Sequence, residues 1–182
     1  MTLRVGETEH SQILRVLKDP DSGGSLQDIA VQFALAKEIA ADIRTAEGIT
    51  RQIDTIRARL DTLLARRKDD PEMEEGAELR EEADNLLESL TALADSLVQQ
   101  KPGGFFSWPV KLTSKMIYLA NHVQSSDHAP TQQAREAHAV LRELLAVAEG
   151  EFLELVREDL ARFNDALRQR GIPVIEVEPP GG

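Results

Sequence analysis

Apolar positions along the chain recur at steps of four and three, the spacing that lines up side chains on one face of a helix. The first run is Ile29, Phe33, Ala36, Ala40 and Ile43, and the second, after Gly48, is Ile49, Ile53, Ile56, Leu60 and Leu63. The two runs differ in phase by about one residue through Ala46, so a local kink or register change is expected at Gly48. Ser25 with Asp28 forms a capping box with the shorter acid, marking where the helix starts. A helix continuous from Ser25 to Lys68 would be about 66 Å long and would need partners along its whole length. The next run is Leu79, Ala83, Leu86, Leu90, Leu93 and Leu97, introduced by Asp70-Pro71 and stopped by Lys101-Pro102-Gly103-Gly104. Proline at a first helical position with acids after it is a helix start. The short link predicts an antiparallel helical hairpin with the preceding rod.

A short amphipathic helix follows on Leu112, Met116, Leu119 and Val123, and Ser125–Pro130 breaks it. Thr131 then caps a final helix. Its apolar set includes Leu141, Leu144, Leu145, Ala148, Phe152, Val156, Leu160, Phe163 and Leu167, and Gly171 and Pro173 end it. The first twenty residues read differently. Leu3 and Val5, then Ile13, Val16 and Leu17, flank the polar turn Gly6-Glu7-Thr8-Glu9, a β-hairpin pattern. A lone hairpin is marginal in water, so it either packs on the helices or belongs to an upstream β-domain. Asp19-Pro20-Asp21-Ser22-Gly23-Gly24 supplies six successive turn formers and reads as a boundary.

The expected fold is therefore mainly α: an antiparallel bundle of three long helices and one short one, with an N-terminal β-hairpin. Its divisions are a hairpin over residues 1–20, a helical bundle over 21–171 and an extended tail over 172–182, which shows no packing signal.

Charge sharpens this picture. The formal net charge is −11. Residues 69–95 hold eleven acids and one base, Arg80, so that stretch is −10 and the rest of the chain is close to neutral. Arg57, Arg59, Arg66, Arg67 and Lys68 lie just across the turn, where antiparallel packing brings basic and acidic ends together. Exposed pairs contribute only ~0–1 kcal/mol each, so the pattern sets register more than stability. The plainer reading of such a run is a solvated charged face. The acidic balance argues against a nucleic-acid partner, since phosphate recognition needs a cationic surface. No uncharged run approaches the ~20 residues of a membrane span.

Chemistry-bearing patterns are sparse. The absence of cysteine excludes thiol nucleophiles, disulfides and Cys-ligated metals. Bundles that bind two irons use Glu-x-x-His pairs facing inward, and none occurs in the helical runs, the one such spacing, Glu7 to His10, lying in the N-terminal hairpin segment; Glu136 and His138 fall on different faces. His122, Asp127 and His128 could form a surface zinc site, but histidines at a helix end more often cap carbonyls or face water. There is no phosphate loop, nucleophile elbow or zincin motif. No catalytic residue, cofactor site or metal site is assigned.

The segment Phe105-Phe106-Ser107-Trp108-Pro109 concentrates three of the seven aromatic residues. Phe105, Phe106 and Trp108 are candidate partner anchors, because aromatics dominate binding hot spots. They could also platform a sugar ring. The competing reading is a plug that closes one end of the bundle. The acidic stretch containing Glu72, Glu75, Glu78 and Glu82 is a second candidate surface.

RVLKDPDSGG leading into LQDIAVQFALAKEI, then FSWPVKLTSKMIYLANHVQSSDHAPTQQARE, resemble the C-terminal region of bacterial sortilin-like β-propeller proteins, often labelled BNR-repeat or Asp-box glycosyl hydrolases. The resemblance covers about residues 1–170. It implies that residues 1–17 are the last hairpin of an immunoglobulin-like domain, and that the chain belongs to a much longer, exported parent (periplasmic, cell-surface or secreted). The Ser-x-Asp-x-Gly-x-Thr-Trp repeats of such propellers are absent, so no catalytic residue carries over. The expectation is a non-catalytic scaffold or interaction module. Its partners would be the parent's β-domain, a second copy or another protein, since 4-3 seams also serve coiled-coil association. The alternatives are a fragment of a glycosidase whose active site lies in the propeller, and an accessory carbohydrate-binding module.

Overall fold

A computed structural model describes residues 2–66, 77–99 and 110–177. Its elements in chain order are β1 (Thr2–Val5), β2 (Thr8–Ser11), α1 (Leu26–Arg66), α2 (Ala77–Leu97), α3 (Leu112–Gln124) and α4 (Gln132–Glu154). A π-helical turn (Leu155–Leu160) then leads without a break into α5 (Ala161–Gln169). The mainly helical bundle with its N-terminal hairpin stands as the periodicity predicts.

Three rods build the bundle. α1 has 41 residues, about 62 Å at the helical rise. α2 and α3 together form the return rod. Lys111 Nζ, just before α3, meets Asp95 Oδ2 near the end of α2 at 2.8 Å. At the far end of α3, Gln32 Nε2 donates to the Val123 carbonyl at 3.1 Å, which brings it beside the start of α1. The third rod, α4 through α5, runs parallel to α1. His138 Nε2 lies 2.7 Å from Asp42 Oδ2 near one end, and Arg59 donates to the Glu176 carbonyl near the other.

Local chemistry accounts for the helix ends. Ser25 N–H donates to Asp28 Oδ2 at 2.9 Å, and Asp28 N–H donates to Ser25 Oγ at 3.0 Å, a reciprocal box. The Ser25 hydroxyl, then its amide, hold the Asp28 carboxyl below the usual aspartate range. Thr131 Oγ1 accepts from Ala134 N–H at 3.2 Å. Gly171, at φ +67°, turns the chain out of α5.

The seams bury as the spacing predicts along the return rod: Leu79, Ala83, Leu86, Leu90, Leu93 and Leu97 on α2, and Leu112, Met116, Leu119 and Val123 on α3. On α1 the helix continues through Gly48, and the register change appears as two successive three-residue steps, from half-buried Ile43 to buried Ala46 and Ile49. The first α1 run differs from the expected one: Leu35, Ala36 and Ile39 are buried, Phe33 is 61% exposed and neither Ile29 nor Ala40 joins the core, and on α4 Leu144 is 49% exposed. The third rod differs from a plain helix. Its buried positions run 134, 138, 141, 145, 148 and 152, then resume at 160, 163 and 167. Unbroken 4-3 steps would have placed Asp159, Arg162 and Ala166 inward. The π turn absorbs one extra residue and keeps Leu160, Phe163 and Leu167 on the core.

Two further corrections concern the ends. The hairpin turn is only Gly6-Glu7, and β2 occupies Thr8–Ser11, beginning within the segment expected to be the turn. Gly6 at φ +61° is the first of two loop residues and the only one with positive φ, the type II′ signature. Ile13, Val16 and Leu17 follow the strand outside any regular element. Beyond α5, residues 172–177 form no regular element yet are packed, with Ile172 and Ile175 buried. Asn164 clips them down: its Nδ2 donates to the Ile175 carbonyl at 2.9 Å, and Ile175 N–H donates to its Oδ1 at 2.8 Å.

Candidate functional site

Of the residues singled out from the sequence, Glu72, Glu75, Phe105, Phe106 and Trp108 lie outside the described residues. Glu78 is exposed in the first turn of α2. Glu82 is half-buried, and its Oε2 is enclosed without a hydrogen-bond partner among the described residues. It lines a small groove of about 170 Å³ with Ser89, Asp159 and Arg162. This continues into a larger groove of about 460 Å³ between α2 and the π turn, whose walls carry Ser89, Ser96, Glu151, Glu154, Glu158 and Asp159. The π turn accounts for the opening, because its wider backbone carries Glu158 and Asp159 outward while Leu160 returns to the core. The groove gathers carboxylates and hydroxyls; its one base, Arg162, is paired with Asp159.

The buried histidine is structural in its contacts. His138 is 4% exposed; its Nε2 meets Asp42, its Nδ1 stands 3.9 Å from Glu38 Oε2, and Arg142 Nε stands 3.9 Å from Asp42. This cluster pins α4 to α1. Of the loop trio, Asp127 is engaged by Ser22, whose hydroxyl lies 2.5 Å from Asp127 Oδ2. Among the described residues no three His, Asp or Glu side chains are grouped to hold a metal ion, and no helix is long and apolar enough to cross a membrane.

The prominent surface feature is apolar and corresponds to no chemistry-bearing sequence motif. Large exposed hydrophobics fall in two groups among the described residues. The first is the N-terminal arm: Leu3, Val5, Ile13, Leu14, Val16 and Leu17, between 58% and 95% exposed. The second is Leu26 and Phe33 on α1, Val110, Ile117 and Tyr118 at α3, and Val140, Leu144 and Val147 on α4. All eight belong to the half of the bundle from which the arm emerges. Residues 34–97 and 148–177 expose none among those described.

The hairpin makes no helix contact: β1 packs only on β2 among the described elements. Its register pairs Leu3 with His10 and Val5 with Thr8, so both apolar residues share one face; Arg4–Glu9 and Thr2–Ser11 share the other. A two-stranded ribbon with one apolar face and two open edges is half of a packed layer. The signal for this surface was present in the sequence as the ILRVL run, read there as part of a hairpin. No family model, curated protein or solved structure matches the chain.

Proposed function

We propose that the chain is a non-catalytic helical scaffold whose arm and adjoining bundle half dock a β-domain, the upstream domain of a larger sortilin-like β-propeller parent. The observation that carries this reading is the segregation of exposed apolar side chains: the acidic half of the bundle keeps its seams closed, while the arm half leaves fourteen large hydrophobics half-exposed or more, within a few per cent. Large apolar side chains left exposed in number on one part of a molecule mark interaction sites. A β-partner fits best, because the arm offers open strand edges and one apolar face, which a sheet completes by strand addition.

The test is the polypeptide recovered from its native host through a C-terminal tag. The proposal expects peptides of Asp-box repeats on the same polypeptide, N-terminal to this segment. A tagged product without them, binding no β-rich protein, would overturn it.

A further inference from the structure

The six turn formers at residues 19–24 read from sequence as a loose boundary, yet the fold closes them against the bundle. Within the turn, Asp21 N–H donates to Asp19 Oδ1 at 2.9 Å, Ser22 N–H donates to the Asp19 carbonyl at 3.2 Å, and Lys18 Nζ donates to the Ser22 carbonyl at 2.6 Å. Pro20 fixes one φ of the same turn. The turn then seats on the α3–α4 loop. Ser22 Oγ bonds Asp127 Oδ2, and Gly24 is buried. A Cβ on Gly24 would collide with the Asp127 carbonyl, 2.6 Å from its carbon and 3.0 Å from the Asp127 Cβ. A Cβ on Gly23 would meet only the His128 ring, at 3.1 Å. Just beyond, Gln32 ties α1 to the last turn of α3.

We infer that residues 18–25 form a rigid joint that sets the direction in which the arm leaves the bundle, with Gly24 on Asp127 as its seat. Backbone-on-backbone contact leaves no side chain to rotate out of the way, so the seat has one geometry. Whatever covers the arm is thereby held at a fixed angle to the rods; this consequence rests on the docking reading above, whereas the joint itself does not.

The absence of cysteine allows a clean test on the full chain. Leu17→Cys and Gln133→Cys, both at exposed positions, carry spin labels, and the distance distribution is read by pulsed electron resonance. The joint predicts a narrow single distribution. Gly24→Ala should broaden it at least twofold with helix content by circular dichroism unchanged, and Gly23→Ala should leave it narrow. A reference with residues 19–24 replaced by alternating Gly and Ser marks the flexible limit. A parent distribution as wide as that reference, or a Gly24→Ala distribution as narrow as the parent, would overturn the joint. Should Gly24→Ala lose helix content, Ser22→Ala with Asp127→Ala gives the same readout without touching the seat's backbone: broadening supports the joint and an unchanged narrow distribution overturns it. No partner is present, so failure here is distinct from failure of the docking proposal.

Discussion

Asn164 shows how one buried polar side chain fixes chain that has no regular structure. Both its amide groups are used on the Ile175 backbone, and these bonds hold Ile172 and Ile175 in the core. Asn164→Ala leaves a buried N–H and carbonyl unpaired, which costs about 1–3 kcal/mol. The expected outcome is a fall of that size in urea stability, with the amide of Ile175 exchanging faster than those of α5. An unchanged Ile175 amide would show that the isoleucines hold the tail unaided. His138 and Asp42 act similarly between rods, with His138 almost wholly enclosed. The exposed Arg168–Asp165 pair lies within one helix, in the class that contributes little.

The π turn carries the main lesson among the elements. It inserts a single residue, so removing one should return an ordinary helix with its downstream face unchanged. Deleting exposed Glu158 is expected to leave a folded bundle with a melting temperature close to the parent. Deleting Glu143 in the regular part of α4 should turn half the rod's core face outward and unfold it. Melting curves of the two variants check this, and equal loss in both would contradict it. Much of the element layout was legible in the sequence. The seams of α2 and α3 face a core along their full length, so spacing alone located every buried leucine. Legibility fails where burial depends on who stands opposite: on α1 more than one run fits the helical spacing, and the fold buries Leu35 and Ile39 while Phe33 stays exposed. The insertion in the third rod left a trace, the 4-4 step Phe152–Val156–Leu160, whose backbone consequence spacing does not specify. The packing of Ile172 and Ile175 depends on Asn164, a contact no local pattern encodes.

In the whole molecule, charge and apolar exposure are divided between the two ends. The acidic stretch runs in sequence from residue 69 through most of α2, and the exposed hydrophobics lie on the arm, the first part of α1, α3 and the first part of α4. Net repulsion therefore bears least on the half that carries the docking surface. The rods satisfy one another through their seams, and the surface left over is the arm half. Amide hydrogen exchange, mapped along the chain alone and again within its β-domain-bearing parent, tests this most directly. The account predicts slow exchange at the α1, α2 and α4 seam positions in both. It predicts fast exchange over residues 2–17 in the chain alone and strong protection of the same residues in the parent. Protection of residues 2–17 in the chain alone, or exchange there that the parent leaves fast, would contradict it.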